Sequence, residues 1–163
     1  MTNPRKVFAV LVMLSLSVLI LPVRAGGRGL EGVWAVQELT TEKPMAKLNK
    51  PTGLLVISGR HFSLSLIANS ERPNFGEGGV EEATADELRA IWGPMLINAG
   101  TFTITGDTIR ITRTLAKHPK FMAPGNFVDL VFERKGDTLT MTDVRNNFGP
   151  VQNPGTMRMT RVK

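Results

Sequence analysis

The stretch TFTITGDTIRITRTL, residues 101–115, decides the fold class of this chain. Apolar residues alternate with threonine or arginine on both sides of the dipeptide Gly106-Asp107. A period of two is that of a strand with one buried and one wet face. Because Gly-Asp suits the tight loop of a β-hairpin, the stretch predicts two antiparallel strands joined by a two-residue turn.

The same pattern recurs around Gly136-Asp137, and weaker versions of it run through most of the chain. Short alternating segments separated by Gly, Asp, Asn and Pro are typical of all-β proteins. The predicted strands are residues 33–39, 54–58, 62–67, 101–105, 108–115, 127–135, 138–144 and 156–162. Eight such strands predict an antiparallel barrel filled by side chains or holding one small ligand, although an open sandwich would show the same alternation.

One helix is predicted between the third and fourth strands. Thr84 and Glu87 have the spacing of a capping box. The apolar residues at helical spacing behind them are Leu88, Ile91, Trp92, Met95 and Leu96. Gly93-Pro94 interrupts this pattern, so we expect a kink or two short helices. The helix either covers apolar surface of the barrel or acts as a lid on one end.

The first 25 residues have the three parts of a secretory signal peptide. Arg5 and Lys6 precede an apolar run over residues 7–21, and Val23-Arg24-Ala25 places small residues at a peptidase site. An uncleaved anchor is the alternative, but the run is shorter than the roughly 20 residues that span a bilayer. The sequence predicts a single domain, residues 26–163, that is periplasmic or secreted, with no membrane span after cleavage.

Composition removes several function classes. The formal net charge is +6, but loss of residues 1–25 leaves 17 basic and 14 acidic residues, and the basic residues are scattered. A nucleic-acid partner is therefore not expected. The chain has no cysteine, which excludes disulfides and thiolate metal sites. Neither His61 nor His118 stands in a ligand-like spacing, so we expect no metal and no cofactor.

Five short motifs, in order along the chain, resemble the bacterial and fungal lipocalin-like domain family. They are Gly32-Val33-Trp34, PTGLLVI at residues 51–57, RPNF at residues 72–75, Gly100-Thr101-Phe102 and the closing residues 158–163. The resemblance implies a lipocalin-type barrel that often takes an apolar small molecule, in a branch mostly of unknown function. The chain differs from secreted lipocalins because it lacks their disulfide and a clear C-terminal helix.

The resemblance also implies a structural role for three residues. Gly32 and Trp34 would form the closed end of the barrel, with an arginine from near the C-terminus over the indole. Arg161 matches that arginine better than Arg158 does.

Charged residues on otherwise apolar faces are the candidates for ligand binding. Glu38 shares its face with Trp34, Arg113 follows two isoleucines, and Asp143 follows Met141. Such charges either meet the polar head of a ligand, form an acid–base pair, or emerge into water at strand ends. The predicted ligand-binding residues are Glu38, Phe62, Leu64, Phe102, Arg113, Phe132, Met141 and Asp143.

The leading hypothesis is an exported barrel that binds a small apolar or amphipathic molecule. An isomerase or cyclase that uses the same cavity is one alternative, and a filled barrel with a structural or interaction role is another. No catalytic residue, ligand identity or oligomeric state is predicted.

Overall fold

The computed structural model describes residues 29–41 and 50–163, which contain one antiparallel barrel. The predicted signal peptide lies outside these residues. The strands are β1 (Gly32–Thr41), β2 (Thr52–Ser58), β3 (His61–Ile67), β4 (Met95–Thr105), β5 (Thr108–Ala116), β6 (Val128–Lys135), β7 (Thr138–Asn146), β8 (Gly149–Pro150) and β9 (Gly155–Arg161). A single α-helix, α1 (Ala85–Trp92), lies between β3 and β4, and the 3₁₀ turns are Gly79–Glu82 and Pro119–Met122.

Consecutive strands pair antiparallel from β1 to β7, and β9 closes the barrel by pairing with both β7 and β1. The two-residue strand β8 only extends the end of β7. Eight strands therefore form a closed ring, which confirms the predicted barrel and excludes an open sandwich. This is the architecture of lipocalin-type up-and-down barrels.

The two Gly-Asp turns form the hairpins predicted for them. Gly106 and Gly136 have φ of 61° and 58°, in the left-handed region that glycine enters without steric cost. Their hairpins lie at the end of the barrel where β1 begins, which we call the closed end. The connections that carry α1, Pro119–Met122 and β8 lie at the opposite end, which we call the loop end.

The interior is one cluster of apolar side chains drawn from alternate positions of the strands. Leu55 and Ile57 of β2 and Phe62, Leu64 and Leu66 of β3 are all buried, whereas the residues between them are exposed. This alternation is the one that the sequence predicts. Burial on one face only fixes the register, because a shift by one residue would turn the whole apolar set outward.

The helix is shorter than predicted. It begins at the predicted capping box, in which Thr84 and Glu87 bond each other's backbone N–H groups, but it ends at Trp92. Met95 and Leu96 belong to β4 and not to a kinked second helix. Pro94 explains the difference, because proline has no N–H to continue the helix and its ring crowds the preceding turn. No helix within the described ranges is long and apolar enough to cross a membrane.

The inner face of β1 also differs from the prediction. The pairing of β1 with β9 is irregular between Val36 and Glu38, where one extra residue enters β1. Such a bulge reverses the alternation. Leu39 consequently packs against the core and Glu38 is exposed, so Glu38 does not share the face of Trp34.

Candidate functional site

Trp34 lies at the closed end, where its indole is fully buried. Its Nε1 donates a 2.7 Å hydrogen bond to the carbonyl oxygen of Leu30, which satisfies the one polar atom of the ring. The guanidinium carbon of Arg161 lies 4.7 Å from the ring centroid, and that of Arg134 lies 5.7 Å away. Both distances are within the range of cation–π attraction.

Arg161 also ties the start of β1 to the end of β9. Its Nη2 donates to the carbonyl oxygen of Glu31 at 2.7 Å. Gly32 lies beside the same guanidinium, since a Cβ added there would come within 2.8 Å of Nη1. Arg158 points to the outer surface, where its Nε lies 3.0 Å from a carboxylate oxygen of Glu38. Of the two candidate arginines, Arg161 is the one over Trp34.

The predicted apolar contacts lie in the barrel interior. Phe62, Leu64, Phe102 and Met141 are at most 9% exposed and belong to the central cluster, and the half-buried Phe132 packs against it. The structure thus brings all five together. Each of them is part of one continuous apolar cluster or packs against it.

Arg113 is the charged residue that the barrel wall turns inward near the loop end. It continues the inner face of Ile109 and Ile111 on β5 and lies opposite Gly100 of β4. Gly100 is required at this point because an added Cβ would lie 2.0 Å from the carbonyl oxygen of Thr112. Because Gly100 has no side chain, β4 and β5 can approach each other closely where their pairing is irregular.

The Arg113 guanidinium has no compensating carboxylate among the residues that the structure describes. Its Nε is buried and has no hydrogen-bond partner. Burial lowers the pKa of Arg113 below its ordinary value, because removal from water disfavours the charged form. A half-buried cation in this state is an electrostatic site for an anion.

Phe121 covers this cation from the loop end. Its ring centroid lies 5.1 Å from the guanidinium carbon of Arg113, and the ring also contacts His118 edge-on at 5.6 Å. Sequence analysis missed Phe121, which precedes the sixth strand in a segment without alternation. It also missed Asn98, a 5% exposed polar residue of β4. The inward series Leu96, Asn98, Gly100 would have indicated it, had β4 been predicted from Met95 onward.

Asp143 and Glu38 do not join Arg113 in an ion pair. An Asp143 carboxylate oxygen accepts a hydrogen bond from the backbone N–H of Gly155, which anchors the start of β9. Glu38 is paired with Arg158 on the outer surface. Among the described residues no group of three His, Cys, Asp or Glu side chains could hold a metal ion. What the arrangement offers chemically is an inward cation flanked by aromatic and aliphatic carbon.

Comparison with known proteins adds little to this geometry. No family model matches the chain, and no curated protein matches it. Among solved structures, the chain is similar to a mutant of the fluorescent protein UnaG, with 12% sequence identity and a TM-score of 0.40. The match covers 83% of this chain and 98% of that one. A likeness at this level carries no argument about function, and the barrel assignment rests on the strand pairing.

Proposed function

We propose that this chain is an exported lipocalin-like barrel protein that binds a small amphipathic molecule at the loop end, with the ligand's acidic head on Arg113. The observation that carries the proposal is the inward guanidinium whose buried Nε has no hydrogen-bond partner. Removing part of a charged group from water without giving it a partner costs free energy. A carboxylate head group would supply the missing partner.

The surroundings of Arg113 favour an apolar tail on this ligand. Phe121 lies over the guanidinium, and Phe62 lies two strands away in the same row, separated from Arg113 only by Gly100. The tail would lie between the loop end and the central cluster of buried apolar side chains. A displacement of Phe121 would admit it.

Export is proposed from residues 1–25, whose charged start, apolar run and small-residue site are those of a secretory signal. The test is expression of the full chain in a bacterial host, followed by the intact mass of the protein from the envelope fraction. A mature chain that begins at Gly26 supports the proposal. A full-length chain held in the membrane fraction contradicts it.

The ligand proposal is tested with two fluorescent probes, the anionic anilinonaphthalene sulfonate and the neutral phenylnaphthylamine. Arg113→Gln should weaken binding of the anionic probe by about tenfold or more, since a hydrogen bond to a charged group is lost. Binding of the neutral probe should change far less. Native mass spectrometry of the protein purified from its own envelope should show a co-purifying acid.

Arg158→Gln is the matched control, because it removes the same charge from an exposed arginine on the outer surface. It should leave the affinity for both probes unchanged. The proposal fails if neither probe binds saturably to the unmodified protein. It also fails if Arg113→Gln weakens the binding of both probes equally.

A further inference from the structure

Among residues 29–41 and 50–163, three arginines have a buried Nε without a hydrogen-bond partner, namely Arg72, Arg113 and Arg161. The guanidinium of Arg161 lies over Trp34, and that of Arg113 lies over Phe121. Within the described ranges, Arg72 has neither an aromatic ring beneath it nor a carboxylate within 4.0 Å. Among these residues, neither an aromatic ring nor a carboxylate therefore compensates the charge of Arg72.

Arg72 lies in a cleft of about 300 Å³ outside the barrel strands. The residues that line the cleft are Ser70, Arg72, Pro73, Asn74, Phe75 and Ile91. This volume is at the lower end of the range for small-molecule sites. The cleft includes the whole RPNF motif, for which the barrel itself gives no structural reason.

Both walls of the cleft are held in place by hydrogen bonds. The Nη1 of Arg72 donates to the carbonyl oxygen of Ile91 at 2.9 Å, which joins the 70–75 segment to the end of α1. The N–H of Ala68 donates to the carbonyl oxygen of Pro94 at 2.8 Å. One of the five guanidinium donors is thus engaged within the protein, and the buried Nε has no hydrogen-bond partner among the described residues.

The chemistry of the lining points to a carboxylate. A planar guanidinium matches the two oxygens of a carboxylate, and the Ser70 hydroxyl and Asn74 amide offer further donors. The lining is mostly polar, and Pro73, Phe75 and Ile91 are the residues in it that could contact a short hydrocarbon part. Doubly charged phosphate fits less well, because the cleft holds one cation and Glu71 is adjacent in sequence.

We infer that this cleft is a second binding site, for a small organic monocarboxylate. The site shares no residue with the loop-end site at Arg113 and does not depend on the function proposed for it. The bound acid would complete the hydrogen bonding of Arg72 and would hold the RPNF segment against α1.

The test is titration of the protein with benzoate, benzyl alcohol and inorganic phosphate, followed by amide chemical shifts. Benzoate should shift the amides of residues 70–76 and Ile91 saturably within about 20 mM, a range suited to a weak site. Benzyl alcohol and phosphate should not. Shifts confined to residues around Arg113 would show binding at the loop-end site and none in the cleft. The positions of the shifted amides therefore distinguish the two sites.

Variants of Arg72 test whether benzoate binding depends on its guanidinium. Arg72→Gln should weaken benzoate binding by about tenfold or more, and Arg72→Lys should give an intermediate loss because the charge remains without the planar fork. Arg89→Gln is the matched control, since Arg89 is an exposed arginine of α1, the helix that carries Ile91, and its side chain is paired with Asp86. Its benzoate affinity should be unchanged.

Three results would overturn the inference. They are the absence of saturable shifts at residues 70–76, equal shifts with benzyl alcohol, and an unchanged benzoate affinity in a folded Arg72→Gln protein. If that variant does not fold, the comparison of benzoate with benzyl alcohol on the unmodified protein still tests whether the cleft prefers a carboxylate.

Discussion

Arg113 carries a charge for which the described part of the barrel offers no carboxylate partner. Because burial lowers its pKa, the charged form present at neutral pH opposes folding. We predict that Arg113→Met, which keeps an unbranched apolar stem and removes the charged end, raises the free energy of unfolding by about 1 kcal/mol. Urea denaturation at pH 7 measures this free energy of unfolding, and Arg158→Met is the control at an exposed arginine. A loss of stability would show that Arg113 has a stabilising partner.

Asp129 is the opposite case, a compensated charge on the outer wall. Its side chain is only 10% exposed, and its two oxygens accept hydrogen bonds from the Nε and Nη2 of Arg110 at 2.7 and 2.8 Å. These hydrogen bonds and the positive charge of Arg110 lower the pKa of Asp129, and Arg145 adds to the effect. Arg110 is held from its other side by the ring of Phe127 at 4.0 Å.

The lowered pKa of Asp129 sets a pH window for stability. The contribution is fully present above the ordinary pKa of aspartate and is lost as the pH falls through the lower folded value. We predict that Asp129→Asn reduces Tm at pH 7 by about 3–6 °C and that the difference shrinks towards zero near pH 2. Thermal unfolding at a series of pH values measures this. A difference that stayed constant with pH would mean that packing and not charge is responsible.

At the scale of elements, α1 depends on its N-terminal cap. The helix has eight residues, of which Ile91 alone is buried, so tertiary packing contributes little to it. We predict that Thr84→Ala lowers the local stability of α1 by about 1 kcal/mol. Amide hydrogen exchange over residues 85–92 should then be several times faster, whereas exchange in the strands should not change. Equal acceleration throughout the barrel would contradict a local role.

The elements also show how far the sequence alone predicts this fold. Period-two alternation and Gly-Asp turns are local signals, and they located all eight barrel strands, although only residues 101–105 of β4 were predicted. The β1 bulge at Glu38 did not, because a bulge is set by pairing with β9, more than 100 residues away in the chain. Met95 and Leu96 suit helical spacing and strand alternation equally well, and only the position of Pro94 decides between them.

The candidate site was also predictable only in part, because some of its contacts join residues from different elements. Alternation placed Arg113 on the inner face of its strand, where the structure has it. It gave no information about Phe121, which reaches Arg113 from a loop, or about Gly155, whose N–H engages Asp143. Contacts between elements depend on the long-range closure of the barrel, which a single sequence does not encode in any local pattern.

At the scale of the whole molecule, the closure of the barrel depends on β9. This strand pairs with β1 through residues including Arg161 and with β7 through residues including Met159. Without it, β1 and β7 become open edges, and Trp34 loses Arg161, the nearer of the two arginines over its ring. The closed end and the ring of strands are therefore one cooperative unit.

We predict that a chain ending at Pro154, which lacks β9, shows no cooperative thermal transition and no near-ultraviolet circular dichroism from Trp34. A chain ending at Val162 is the control, because it loses only Lys163 and its exposed ion pair with Asp137. Its Tm should stay within about 2 °C of the full chain, as expected for a surface pair. Cooperative unfolding of the chain ending at Pro154 would show that seven strands suffice and that β9 is an accessory to the barrel and not its closure.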